Sequence, residues 1–138
     1  MSKPIHAPFL LLTATFAMFA VGCSSAPAVA GGTTGRMVAA SESFAMQRGE
    51  TVVLADRTTL RYVSIKSDSR CPPGVQCIQA GNALVGFESR PAGGSIETFE
   101  LNSSDQPQSR DLGSVRVTLQ SLAFGDAPQA QLKVERDN

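Results

Sequence analysis

An all-β fold, a small sandwich of about seven short strands on the immunoglobulin plan, is what this sequence predicts, and three observations carry it. From Phe44 onward, runs rich in Val, Leu, Ile, Thr and Phe alternate with polar residues at the period of a half-buried strand. Gly, Pro, Asp and Asn break these runs at short, regular intervals. No stretch carries the i, i+3, i+4 apolar spacing of an amphipathic helix. A small closed barrel is the alternative arrangement of the same strands.

Taken in order, Phe44-Ala45-Met46 opens the domain and the polar corner Arg48-Gly49-Glu50 follows. Thr51–Leu54 and Thr59–Lys66 flank the turn residues Ala55-Asp56-Arg57. Leu60, Tyr62 or Val63, and Ile65 depart from strict alternation, which predicts a bulge or burial on both faces. Ala83–Ser89 sets Leu84 opposite to Val85 and Phe87. After the turn Pro91-Ala92-Gly93-Gly94, the run Ile96–Leu101 is expected to pair back onto it. The polar residues from Asn102 to Asp111 show no periodicity and are expected to cross the end of the fold. Val115–Leu122 has the cleanest alternation, Gly125-Asp126-Ala127-Pro128 breaks it, and Gln131–Glu135 closes the domain. Phe44, Tyr62, Phe87, Phe99 and Phe124 lie in or beside these runs and are expected in the core.

Ahead of the domain, Lys3 precedes the apolar run Phe9–Cys23, which is too short to span a bilayer stably and reads as an export signal. Its end, Ala20-Val21-Gly22-Cys23, resembles the lipobox of bacterial lipoproteins, with Ala20 in the usual place of Leu. The resemblance implies that residues 1–22 are a signal peptide and that Cys23 receives the lipid. Residues 23–41 then form a flexible tether of Ser, Ala, Gly and Thr, and residues 42–138 form the folded domain. Ser24 after the cysteine favours the outer membrane, with the domain on its periplasmic face. Cleavage instead at Ala28-Val29-Ala30 would release a soluble periplasmic protein.

Composition narrows the chemistry. Twelve basic and twelve acidic residues balance, and no basic cluster offers a footprint for nucleic acid. The one histidine, His6, falls in the leader. Without it the domain lacks the partner that Ser-His and Cys-His catalysis and His-ligated zinc require. Asp105, Asp111, Asp126 and Asp137 are scattered rather than spaced as a calcium loop needs. Neither catalytic nor metal residues are expected, and no cofactor.

Cys71 and Cys77 remain, a close pair that in an oxidising compartment reads as a disulfide. They sit in Asp68-Ser69-Arg70-Cys71-Pro72-Pro73-Gly74-Val75-Gln76-Cys77, with Ala80-Gly81 following. This pattern resembles a family of small exported bacterial proteins, many of them lipoproteins, that share an Asp-Ser-Arg-Cys-Pro…Cys…Ala-Gly loop. Gln79 stands where that family has an aromatic residue. The resemblance implies a β-rich exported domain and no activity. Within the loop, Asp68 is expected to accept hydrogen bonds from Arg70 or from loop amides, and Pro72-Pro73 to stiffen the ring. Asp68, Arg70, Pro72, Pro73 and Val75 are the candidate recognition residues, since a rigid loop loses little entropy on binding. The function expected is therefore non-enzymatic: a domain held to the membrane by an N-terminal lipid, binding or supporting another envelope component such as a protein partner. The alternative is an inhibitor that offers the Cys71–Cys77 loop to an envelope-attacking hydrolase.

Overall fold

The computed structural model describes residues 35–137. The leader, Cys23, the Ala30 cleavage site and the first part of the tether lie outside the described residues. Nine strands form: β1 (Arg36–Met37), β2 (Ser43–Met46), β3 (Thr51–Val53), β4 (Thr59–Asp68), β5 (Ala83–Arg90), β6 (Glu97–Asn102), β7 (Ser109–Leu112), β8 (Val115–Leu122) and β9 (Ala130–Arg136). They make a five-stranded sheet in the order β1-β3-β4-β5-β6 and a four-stranded sheet in the order β2-β9-β8-β7. The domain is thus the expected β-sandwich, not a closed barrel. Its connections are simple: β3 to β6 run as one meander, and β7 to β9 as another.

Alternation places the core between the sheets. Phe44 and Met46 of β2, Leu60 and Tyr62 of β4, and Val85 and Phe87 of β5 point inward and are buried. Phe99 and Leu101 of β6 do likewise, facing Val117 and Leu119 of β8 and Leu132 and Val134 of β9. Each such side chain contributes roughly 1.5–3 kcal/mol through the apolar area it removes from water. Tyr62, Phe87 and Phe99 form a continuous aromatic row, with ring centroids 5.5 and 5.7 Å apart. Tyr62 donates its hydroxyl to the Pro128 carbonyl at 3.3 Å, and burial pushes the phenol pKa up. The irregular alternation of β4 is realised as two register shifts, between Tyr62 and Ser64 and between Ile65 and Ser67.

Three expectations are corrected. The tether does not extend to Ser41: β1 joins β3 in parallel, and Val38 is 1 % exposed in the core. One apolar residue in a stretch of small ones suffices, because Gly35 lets the chain lie against the Thr51–Val52 backbone. The polar stretch Asn102–Asp111 does not only cross the end of the fold: from Ser109 it forms β7, an edge strand whose one inward side chain, Leu112, follows the stretch and leaves little periodic signal. Phe124 is 47 % exposed rather than buried.

Both flanks of the sandwich carry an arginine. Arg36 donates to the Ala45 carbonyl (2.9 Å) and lies 5.6 Å from the Phe44 ring, linking β1 to β2. Arg110 of β7 reaches Glu97 of β6 (3.8 Å) and lies 5.8 Å from the Phe99 ring.

Candidate recognition loop

β4 outruns β3 by several residues and ends at Asp68, so the chain leaves the sheet at one end of the sandwich before returning as β5 at Ala83. The exit is fixed by Arg70. Its Nε donates to Asp68 Oδ1 (2.9 Å) and its Nη2 to Asp68 Oδ2 (2.6 Å), a two-pronged ion pair. The Arg70 backbone N–H also donates to Asp68 Oδ1 at 3.1 Å. On its far side the same guanidinium donates to the carbonyls of Leu122, the last residue of β8, and, at 3.0 Å, of Ala123 just after it. Its carbon stands 4.0 Å from the Phe124 ring. Arg70 therefore latches the loop, which belongs to the first sheet, to the second. These hydrogen bonds hold the Asp68 carboxyl below its ordinary pKa.

A second clamp closes the loop's base. Ser69 donates its N–H (2.8 Å) and its hydroxyl (3.1 Å) to the Asn82 carbonyl, and the Asn82 N–H returns a bond to Ser69 Oγ. The two backbones pass so closely that a Cβ on Gly81 would fall 1.7 Å from the Ser69 carbonyl oxygen. Only glycine fits there. Asn82 also donates to Asp105 at 2.7 Å, tying the base to the β6–β7 connection. The sequence pattern Asp-Ser-Arg followed by Ala-Gly thus has a mechanical meaning, since Asp68, Ser69, Arg70 and Gly81 all shape the base.

Beyond the base, Cys71 and Cys77 are joined by a disulfide, their Cα atoms 5.9 Å apart. Within the ring the Val75 N–H bonds the Pro72 carbonyl, and Gly74 adopts φ 81°. With Pro73 and Gly74 at its two central positions, this is a type II turn. Every residue from Pro72 to Ala80 is exposed. Val75 is 58 % exposed and Ile78 fully so. Because the latch and clamp do not involve sulfur, reduction is expected to lower stability by about 2 kcal/mol, the chain entropy of a short ring, and to leave the domain folded. Equal melting temperatures with and without reductant would contradict this.

The five candidate residues divide between two tasks. Pro72, Pro73 and Val75 lie on the exposed turn, whereas the Arg70 side chain is 10 % exposed and, with Asp68, serves the latch rather than the contact surface. Sequence reasoning passed over Ile78 and Phe124, which extend the apolar surface at this end. An unpaired Ile directly after Cys77, in a stretch free of charge, is a signal that could have found the first; nothing in the pattern marks Phe124.

Elsewhere, two shallow grooves of about 390 and 440 Å³ lie on the outer face of the five-stranded sheet and meet at Glu88. Arg61, Arg90 and Thr59 line one, and Lys66, Gly86 and Glu100 the other. Arg61 and Glu88 pair at 3.7 Å between them. Among the described residues no three His, Cys, Asp or Glu side chains gather to hold a metal ion. Comparisons with protein-family models, with curated proteins and with solved structures find no match to this chain.

Proposed function

We propose that this chain is an envelope lipoprotein, anchored through Cys23 at the periplasmic face of the outer membrane, whose non-enzymatic domain contacts another envelope component through the Cys71–Cys77 loop. One observation supports the reading above the others: an uninterrupted exposed segment, Pro72 to Ala80, stands on a base locked by an ion pair, backbone bonds and a disulfide. A contact surface of this kind is ordered before it meets its partner, so little conformational entropy is lost on binding. The apolar side chains Val75 and Ile78 have no packing role that would otherwise account for their exposure.

The test uses native envelope fragments sedimented with the purified domain, residues 35–138. Wild type is expected in the pellet and the Val75→Asp, Ile78→Asp double variant in the supernatant, with unchanged melting temperature because neither residue touches the latch. Equal sedimentation of the two would remove the loop from the contact.

Inhibition of an envelope-attacking hydrolase is the second reading, favoured by the loop's projection. The type II turn narrows it. A protease binds its substrate extended, and a ring turned at Pro73-Gly74 does not present that shape. A hydrolase partner would meet this loop as a plug in its cleft, not as a mimic of its substrate.

A further inference from the structure

We propose that the envelope component met by the loop is the lipid surface itself: with Cys23 anchored, the sandwich stands with its Cys71–Cys77 end against the bilayer and sets Val75, Ile78 and Phe124 into the interface. The inference rests on the lipoprotein reading and on the loop as contact surface.

Strand direction is the first argument. β4 runs toward the loop end, since Asp68 is its last residue. β3 is antiparallel to β4, and β1 is parallel to β3 with Arg36 opposite Val52 and Met37 opposite Val53. The chain at Arg36 therefore runs away from the loop end, and the described residues begin, at Gly35, on the side of β1 nearer that end. Between Cys23 and Gly35 lie the residues Ser24 to Thr34, a length that spans at most about 40 Å when fully extended. Gly35 sits level with Thr51, which pairs with Arg61, seven rungs of β4 below Asp68. At roughly 3.3 Å per rung that is about 23 Å, so residues 24–34 are long enough to bring Cys23 to the level of the loop's base at Asp68.

Charge is the second argument. From Cys71 to Phe87 the chain has no charged residue. At the base, Asp68 and Arg70 neutralise each other and Asp105 accepts a hydrogen bond from Asn82, while Asp126, two residues past Phe124, is exposed and would stay in water at the rim of the contact. Bringing the loop residues 71–80 against an interface strips water from backbone, glutamine amides and aliphatic groups and from no ion within that segment. The exposed Val75, Ile78 and Phe124 belong to one end, because Arg70 ties the loop to the residues following β8 and lies against the Phe124 ring. Amphipathic contact of this kind lies in the headgroup region and is firm only when a second signal, here the acyl anchor, holds the protein at the surface.

The chain contains no tryptophan, so a single introduced one reports without background. Ile78→Trp and, at the opposite end in the β5–β6 turn, Ala92→Trp are made in the mature chain, with Cys23 replaced by a histidine tag that binds nickel-chelating lipid. The vesicles are phosphatidylethanolamine and phosphatidylglycerol carrying acyl chains brominated near the headgroup. The expected result is a blue shift and loss of most emission for Ile78→Trp, an unshifted spectrum for Ala92→Trp, and reversal of the first effect when Val75→Asp is added. No quenching in either variant, or equal quenching in both, overturns the proposal. If it is overturned while sedimentation with native envelope fragments still depends on Val75 and Ile78, the loop remains the contact surface and its partner is a protein. If that dependence is lost as well, the reading of the loop as a contact surface fails with it.

Discussion

Gly81→Ala is expected to lower the melting temperature by about 12–24 °C, corresponding to about 3 kcal/mol in a domain of this size. The added Cβ would meet the Ser69 carbonyl oxygen at 1.7 Å and its carbon at 2.3 Å. These are backbone atoms, and a side chain cannot swing aside to relieve them. The Ser69–Asn82 clamp has to open, losing its three hydrogen bonds and the spacing that lets Asn82 reach Asp105. Gly74→Ala is the informative comparison. There a Cβ has open space and the cost is only that of a left-handed backbone, about 1 kcal/mol. Thermal melts of the two variants decide the matter: a Gly81→Ala loss no greater than that of Gly74→Ala would mean that the close approach does not govern the loop.

Arg70→Ala is expected to cost a similar amount, about 3 kcal/mol, and to change how stability depends on pH. The substitution removes a two-pronged bond to Asp68, strips the Leu122 and Ala123 carbonyls of their donor, and uncovers the Phe124 ring. Asp68 is one-third exposed, so water takes over part of what its carboxylate loses, which keeps the figure at the lower end for a broken ion pair. Because Arg70 holds the folded Asp68 pKa below its unfolded value near 4, the pair stabilises fully above that value and weakens as pH falls through the folded one. The stability gap between wild type and Arg70→Ala should therefore be widest near neutrality and should narrow below about pH 4. Asp111, also held low by Arg116, loses stability in the same acid range in both proteins and cancels in the comparison. Denaturant melts at neutral and acid pH measure the gap; one that stays constant would show that the latch acts through packing alone.

How far the sequence could be read follows from how each feature is encoded. The sandwich and its long strands were legible because β4, β5, β8 and β9 bury one face each, and a buried face writes an alternating pattern. β1 and β7 were not, for the same reason reversed. Met37 and Arg36 are both exposed, Val38 acts alone, and β7 has only Leu112 to mark it, so edge strands held by backbone pairing leave almost no trace. In the loop, the disulfide and the Asp68–Arg70 contact were legible from residue type and spacing. The partition between them and Val75 was not, because the carbonyls that Arg70 seeks belong to Leu122 and Ala123, 52 and 53 residues along the chain. Long-range partners that are backbone atoms carry no residue signature. Gly81 shows the opposite case, a residue conspicuous in the pattern whose reason appears only when Ser69 is seen beside it.

The arginines on the two flanks bear on life at high local density. A sandwich has four sheet edges, and an open edge is a template on which a second copy can add its own strand. Here Arg36 and Arg110 lie across the seams between the sheets, with their guanidinium groups against Phe44 and Phe99 and their charges shared with Glu50 and Glu97. A neighbouring chain approaching either flank would have to displace a hydrated ion pair before pairing. Molecules confined to a surface collide far more often than molecules in solution. With its flanks fenced in this way, the domain can be packed densely without zipping into sheets.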